Sequence, residues 1–133
     1  MLKLLFALFG FSAATLSDCG FGKSVFTLQD QNFSPSPPIA GQEYDYWFTY
    51  SVPANTVIDS GKAEYSVTLN GIPLNPSIDD LCSQTVCPKV EGLYNESSHN
   101  IWNGGISGKV VMKLSWYDGN NNLLLCSQVT ERI

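Results

Sequence analysis

The stretch KVVMKLSWYDGNNNLLLCSQVT, residues 109–130, decides the fold class. In its first half, alternate positions carry large apolar side chains, namely Val110, Met112, Leu114 and Trp116. The positions between them include Lys109, Lys113 and Ser115. A period of two residues is typical of a β-strand with one buried face. The polar run 118–122 then predicts a loop, and Leu123–Thr130 predicts the next strand.

Two upstream stretches repeat this alternation. Residues 43–52 place on one face Tyr44, Tyr46, Phe48, Tyr50 and Val52, with Trp47 as an apolar residue on the other face. Residues 61–69 place on one face Ala63, Tyr65, Val67 and Leu69. Ser24–Leu28 predicts an early strand, and Asn70-Gly71 suits a tight hairpin turn. Repeated short strands separated by Gly, Pro and Asn predict an all-β, antiparallel β-sandwich.

The first 17 residues are typical of a secretory signal peptide. Lys3 supplies the positive start, residues 4–11 form a short apolar core, and small residues follow. Cleavage after Ala14, Thr15 or Ser17 fits this pattern, and cleavage after Ser17 is favoured. A buried N-terminal helix is the alternative. The sequence therefore predicts a leader at 1–17 and one domain at 18–133.

The charge balance excludes some partners. The chain carries a net charge of −5 and has a pI near 4.5. This acidity argues against nucleic acid and against simple electrostatic docking to anionic membranes. Charged residues make up 14% of the chain, against about 25% in an average soluble domain. The domain is therefore rich in apolar residues for its size.

The chain has four cysteines, Cys19, Cys82, Cys87 and Cys126. In an oxidising compartment they are expected to pair, and three pairings are possible. The physically simplest is Cys82–Cys87, which closes a small loop, with Cys19–Cys126, which joins the ends. Chain entropy assigns about 2 kcal/mol to the short loop and nearly 5 kcal/mol to the long one. The spacing lacks the common zinc patterns, so no metal site is predicted.

The sequence predicts no enzyme and no cofactor. His99, the only histidine, lies in the polar stretch 95–100, which is interpreted as a surface loop. Asp79 and Asp80 are adjacent, so on a strand they would face opposite ways and make poor acid–base partners. They are interpreted as a solvated turn. Gly104-Gly105 follows no strand and opens no helix, so it implies no phosphate site.

Two further patterns concern the surface. Asn95-Glu96-Ser97 and Asn32-Phe33-Ser34 match the acceptor triplet for N-glycosylation, although Pro35 disfavours the second. Pro35, Pro37 and Pro38 make residues 33–39 a sheet edge or a connector. Ile101, Trp102 and Ile106 lie in a Gly- and Asn-rich connector. Exposed apolar residues on such a loop often form a binding rim.

Three groups of residues together resemble a known family. They are Asp18-Cys19-Gly20 near the start, Cys82 to Cys87-Pro88 with Gly92-Leu93-Tyr94 in the middle, and Trp116, Asp118-Gly119 and Leu125-Cys126 near the end. This frame resembles the MD-2-related lipid-recognition family. It is most similar to the branch with Niemann–Pick type C2 proteins and phosphatidylglycerol/phosphatidylinositol transfer proteins. The resemblance covers essentially all of residues 18–133.

The resemblance implies an immunoglobulin-like antiparallel β-sandwich with an apolar cavity between its two sheets. It also implies the disulfides Cys19–Cys126 and Cys82–Cys87. The implied function is binding of a lipid and its transfer between membranes by a monomer. This protein would be secreted or lie in the endolysosomal lumen. The residues expected to contact the lipid are Phe26, Phe48, Tyr50, Tyr65, Val67, Val110, Met112 and Trp116 in the lining, with Trp102 and Ile106 at the rim.

The sequence also departs from this family. Residues 33–41 lack the cysteine of a third disulfide that many members carry. A Tyr-Pro pair shapes the entrance in sterol-binding members, whereas this chain has Gly104-Gly105-Ile106-Ser107 there. Phosphatidylglycerol or phosphatidylinositol is therefore slightly favoured over a sterol as the ligand. A second interpretation is an immunoglobulin-like binding module with a closed core and no lipid, and a third is a hydrolase that uses His99.

Overall fold

The computed structural model describes residues 14–102, 104 and 107–133. In these residues one helical turn, α1 (Leu81–Gln84), accompanies the β-strands. The strands are β1 (Thr15–Asp18), β2 (Thr27–Ser34), β3 (Glu43–Ile58), β4 (Gly61–Leu69), β5 (Ile72–Pro73), β6 (Ser77–Asp80), β7 (Lys89–Ile101), β8 (Lys109–Asp118) and β9 (Leu123–Arg132). No helix of the described part is long and apolar enough to cross a membrane. The apolar core of the predicted leader, residues 4–11, lies outside the described residues.

Two antiparallel sheets face each other. The six-stranded sheet has the order β1-β9-β8-β4-β5, and β6 pairs with the other end of β4. The three-stranded sheet has the order β2-β3-β7. Inward side chains of both sheets pack together, as in Phe48 of β3 against Trp116 of β8 with ring centroids 5.7 Å apart. The predicted antiparallel β-sandwich is therefore what the chain forms.

Local sequence accounts for the turns. Asn70 and Gly71 have φ values of 51° and 81°, which match the tight hairpin turn that Asn-Gly favours. Asp118 accepts hydrogen bonds from the backbone N–H groups of Asn120 and Asn122, both at 2.9 Å. These bonds order the loop between β8 and β9, because the Asp118 carboxylate accepts from backbone N–H groups of the loop.

Both expected disulfides are present. Cys19–Cys126 joins the segment after β1 to β9, with its Cα atoms 5.0 Å apart. Cys82–Cys87 closes the loop around α1, with Cα atoms 5.4 Å apart. The long bridge therefore fastens β1 to the sheet, and the short bridge shapes the connection from β6 to β7.

Several local expectations were wrong. The early strand runs over Thr27–Ser34 and not over 24–28, because the backbone N–H groups of Val25 and Phe26 donate to Leu123 and Leu124 at the start of β9. The stretch 95–100, expected as a surface loop, belongs to strand β7. Asp79 and Asp80, expected in a turn, lie in the edge strand β6. In the last two cases backbone pairing with a neighbouring strand overrides the polar local sequence.

Candidate functional site

The apolar core is divided into two clusters. The buried members of the first are Phe26, Phe48, Tyr50, Val52, Ala63, Leu81, Trp116, Leu124 and Leu125. The buried members of the second are Phe33, Trp102, Val110, Met112 and Val129. A small domain usually has one contiguous core. Here the buried residues form two clusters, and the partly buried Tyr46 packs against both.

A cavity of about 410 Å³ has members of both clusters in its wall. Its apolar wall consists of Phe33, Tyr44, Tyr46, Phe48, Tyr65, Met112, Leu114, Trp116 and Val129. Its polar wall consists of Ser77, Asp79, Gln84, Glu96, Ser97, Ser98, Asn100 and Ser127. A volume of this size lies within the range of small-molecule sites. It far exceeds the voids left by ordinary core packing.

The polar wall comes mainly from two edge strands, β6 and β7, one in each sheet. In β7, alternation places Glu96, Ser98 and Asn100 on the side of the cavity. These side chains are too polar or too small to fill an apolar core, so they give this side of the cavity a polar wall. The cavity therefore has aromatic residues inside and a polar rim, defined here as Ser77, Asp79, Gln84, Glu96, Ser98 and Asn100.

One polar cluster lies inside the apolar wall. The hydroxyl of Ser127 donates to Gln31 Oε1 at 2.7 Å, and the hydroxyl of Tyr46 donates to the same oxygen at 3.2 Å. Tyr46 and Ser127 also bond to each other. Burial raises the pKa of Tyr46 above its ordinary value and that of Tyr65 to about 12. The cavity phenols are therefore neutral at physiological pH.

Glu96 is the most highly bonded group of the rim. Its Oε2 accepts from the hydroxyls of Tyr50 at 2.8 Å and Thr85 at 2.7 Å, and lies 3.4 Å from Lys89 Nζ. Lys89 also lies over the Tyr94 ring, 4.2 Å from its centroid. Burial, together with its hydrogen bond to Glu96, raises the pKa of Tyr50. These contacts hold the Glu96 carboxylate in one position at the rim.

The structure brings some of the ten predicted lipid-contact residues together. Phe48, Tyr65, Met112 and Trp116 line the cavity. Phe26 and Tyr50 are fully buried in the first cluster, behind the cavity wall. Val67, Trp102 and Val110 pack in the second cluster. Ile106 lies outside the described residues.

The prediction that Trp102 is exposed at the rim was wrong. Its side chain is only 7% exposed and packs edge-on against Tyr44, with centroids 5.6 Å apart. The reason is backbone bonding between Trp102 and residues 41–42, which draws the connector into the sandwich. By contrast, Ile101 is exposed.

Asp79 and His99 lie in different surroundings. Asp79 belongs to the rim, whereas His99 pairs with Asp45 and is exposed, outside the cavity wall. In residues 14–102, 104 and 107–133, no group of three or more His, Cys, Asp or Glu side chains could hold a metal ion. The exposed residues Asn32 and Asn95 also lie outside the cavity wall.

Sequence reasoning missed part of the wall. Phe33, Tyr44, Tyr46, Leu114 and Val129 line the cavity but were not among the ten residues. Alternation already placed Tyr44, Tyr46 and Leu114 on inward faces, so that signal was available. The polar rim of β6 and β7 had no such signal because its inward residues are not apolar.

Comparison with known proteins identifies the family. A family model described as the ML domain matches residues 13–133. The chain belongs to the ML-domain family. The expected relationship to the lipid-recognition family is thereby confirmed.

Two curated relatives of this ML domain come from Dictyostelium discoideum. The first, named "Putative phosphatidylglycerol/phosphatidylinositol transfer protein 1", is 29% identical over 121 residues, covering 88% of this chain and 79% of the relative. The second, transfer protein 3 of the same naming series, is 33% identical over 86 residues, covering 63% of this chain and 56% of the relative. Both names place the relatives among phospholipid transfer proteins.

Two solved structures share the fold of this ML domain. A Niemann–Pick type C2 protein from the Japanese carpenter ant superposes with a TM-score of 0.67 at 15% identity, covering 90% of this chain and 98% of that one. Chicken MD-1 in complex with lipid IVa superposes with a TM-score of 0.58 at 12% identity, covering 90% and 88%. The predicted immunoglobulin-like β-sandwich is therefore confirmed.

Proposed function

We propose that this protein binds one lipid in the cavity between its sheets and carries it between membranes. The cavity of about 410 Å³ is the observation that carries the proposal, because a closed sandwich would have no room for a ligand. Membership of the ML-domain family and the names of the two Dictyostelium relatives support it.

The composition of the wall suits an amphipathic ligand. Aromatic and aliphatic side chains from both sheets would surround the apolar part of the lipid, and the polar rim would contact its headgroup. Each buried methylene contributes about 0.8 kcal/mol, so a C16 chain gains roughly 10 kcal/mol before ordering costs. Such a gain is comparable with burial in a bilayer. Transfer would then need no covalent step.

The lipid headgroup is the next question. Phosphatidylglycerol and phosphatidylinositol are the lipids in the names of the relatives, and they are the first ligands to test. A sterol is the second candidate, because Tyr46 and Ser127 place hydroxyls among the apolar side chains of the wall. A sterol has one hydroxyl and a rigid apolar body, which these residues could accommodate.

We also propose where the protein acts. Two disulfides are typical of proteins that fold in an oxidising compartment, which supports secretion or delivery to the endolysosomal lumen. The protein would act as a monomer that contacts membranes transiently, since the cavity is complete within one chain.

Organic extraction of the purified protein, followed by mass spectrometry, tests the proposal directly. We expect one lipid per protein, or uptake of one lipid from vesicles of phosphatidylcholine with phosphatidylglycerol, phosphatidylinositol or cholesterol. Repeated absence of bound lipid, with no uptake from any of these vesicles, would overturn it. That result would favour a binding module that uses its outer surface.

A further inference from the structure

The observation that goes beyond lipid binding is a buried carboxylate without a cationic partner. Glu131, on β9, is 1% exposed. Its Oε2 accepts a hydrogen bond from Ser36 Oγ at 2.9 Å, whereas its Oε1 is buried and lacks a hydrogen-bond partner among the described residues. The ion pairs of the described chain, Lys62–Glu64, Lys89–Glu96 and His99–Asp45, do not include it.

A buried carboxylate is unfavourable as an anion unless it is paired. Burial accordingly raises the pKa of Glu131, and the Ser36 hydroxyl and the Arg132 amide offset part of that effect. Its partner in the register of β8 is Val110, which has no charge to offer. The flanking cations, Lys109 and Arg132, are exposed. Glu131 thus lies where one additional positive charge would be stabilising.

The start of the domain lies beside this carboxylate. The backbone N–H of Ala14 donates to Ser36 Oγ at 2.6 Å, and the same hydroxyl donates to Glu131. Directly after Ala14, β1 pairs with β9 through Thr15↔Thr130, Leu16↔Val129 and Ser17↔Gln128. A chain cut at this point would present a new α-ammonium group close to Glu131.

The pairing of β1 with β9 also distinguishes between cleavage after Ala14 and cleavage after Ser17. Cleavage after Ser17 would remove Thr15, Leu16 and Ser17 from β1 and uncover Val129, which is 4% exposed and lines the cavity. Cleavage after Ala14 keeps the whole of β1. It also has small residues, Ser12 and Ala14, at the two positions that signal cleavage requires.

We propose that the leader is removed after Ala14, and that the α-ammonium group created at Thr15 is the cationic partner of Glu131. The Thr15 nitrogen is one residue along from the Ala14 nitrogen, a step of less than about 3.8 Å. As a free terminus it can rotate toward Ser36 and Glu131. Processing and folding are then coupled, because removal of the leader completes an otherwise unpaired buried site.

The first experiment determines the N-terminus. The full 133-residue chain is expressed through a eukaryotic secretory pathway, and the purified product is analysed by intact mass and N-terminal sequencing. A start at Thr15 supports the proposal. A start at Ala14, Leu16 or Asp18, or retention of Met1, overturns it.

The second experiment tests the ion pair on the secreted protein. Reductive methylation of the α-amino group is followed against pH in the wild type, in Glu131→Gln and in the control Glu43→Gln, whose carboxylate is exposed. A carboxylate partner raises the pKa of an ammonium group, so the wild type and the control should react several-fold more slowly at pH 7 than Glu131→Gln. Equal profiles for all three proteins would refute the pair.

A folding defect in Glu131→Gln does not remove the test. In that case the methylation rate of the wild-type α-amino group is measured against pH and compared with that of an unstructured peptide that starts with residues 15–20. The midpoint of each pH profile is the quantity compared. A midpoint at or below that of the peptide contradicts the proposal, and a midpoint above it supports the pair. Neither experiment depends on whether the protein binds a lipid.

Discussion

Lys89 Nζ lies 3.4 Å from Glu96 Oε2, and this contact joins the rim of the cavity to the aromatic core. The Lys89 side chain is 3% exposed and that of Glu96 is 22% exposed. Lys89 lies over the rings of Tyr94 and Tyr50, so its charge is solvated by a carboxylate and two aromatic faces. The rim residue Glu96 therefore has a structural role as well as a place in the cavity wall.

We expect Glu96→Gln to destabilise the fold by about 3 kcal/mol, because it leaves a buried ammonium group without its counter-ion. The double variant Lys89→Met/Glu96→Gln should recover most of that loss. Lys62–Glu64 is a matched control, since its atoms are also 3.4 Å apart but both side chains are about one third exposed. Removing that pair should cost less than about 1 kcal/mol. Denaturant unfolding measures all these variants, and equal losses for Glu96→Gln and Glu64→Gln would contradict the buried role.

Met112→Trp should fill part of the cavity. Because Met112 lies in the wall, the larger ring can enter empty space, and we expect loss of lipid uptake with little change in Tm. Leu125→Trp is the control, because Leu125 is fully buried in the first cluster and outside the cavity wall. Overpacking there should cost about 1–3 kcal/mol. Comparable destabilisation by both substitutions would show that the site of Met112 is closed.

Asp79→Asn should change the preference for headgroup charge. Asp79 and Glu96 are the carboxylates of the rim, and the wall of the cavity in the described chain includes no Lys or Arg. Removing one negative charge should favour uptake of phosphatidylglycerol over that of a neutral lipid, by less than about tenfold because the site is exposed and screened. Asp30→Asn, an exposed change outside the wall, is the control. Vesicle uptake at low and high salt measures the effect, and an identical preference in both variants would count against it.

The loop between β8 and β9 should respond to acid. Hydrogen bonds from Asn122 and Asn120 lower the pKa of Asp118 below its ordinary value. A lowered pKa stabilises the fold at pH values above the ordinary pKa, and this contribution is lost as the pH falls through the folded-state pKa. Wild type should therefore exceed Asp118→Asn in stability by a small amount near neutral pH. The two should converge in strong acid, and a difference that grows on acidification would be inconsistent with this account.

Asn95 should carry a glycan in the secreted protein. It is exposed on β7 and lies outside the cavity wall, whereas its neighbour Glu96 belongs to that wall. A glycan there would leave lipid uptake unchanged. Treatment with a glycosidase that releases N-glycans should reduce the mass of wild type, and Asn95→Gln should reduce the size of that shift. Asn32 is exposed as well, so any remaining shift in that variant is assigned to Asn32.

Alternation predicted the strands that build the apolar walls. β4 begins and ends as predicted, β8 also includes Asp118, which was predicted to lie in the following loop, and the face with Met112 and Trp116 points inward. These strands could be predicted because each has one buried face, and burial imposes a period of two on the side chains. Asn70-Gly71 was equally clear, since few residues tolerate positive φ.

The strands of the polar rim could not be predicted in this way. Glu96, Ser98 and Asn100 point toward the cavity but are not apolar, so β7 resembles a loop in sequence. Its pairing with β3, and not its own composition, makes it a strand. Trp102 shows the opposite error, because an apolar residue in a Gly-rich connector gives no sign of being buried.

The sequence by itself determined the fold class and the inward faces, because these depend on local periodicity and turn chemistry. Cysteine spacing made one disulfide pairing the simplest of three, and the structure contains that pairing. Only the tertiary structure decided which inward residues pack against each other and which line open space. Phe26 and Tyr50 have the same apolar character as Phe48, yet only Phe48 lines the cavity. The difference depends on the separation of the sheets at each point, and that separation is set by side chains from several distant strands together.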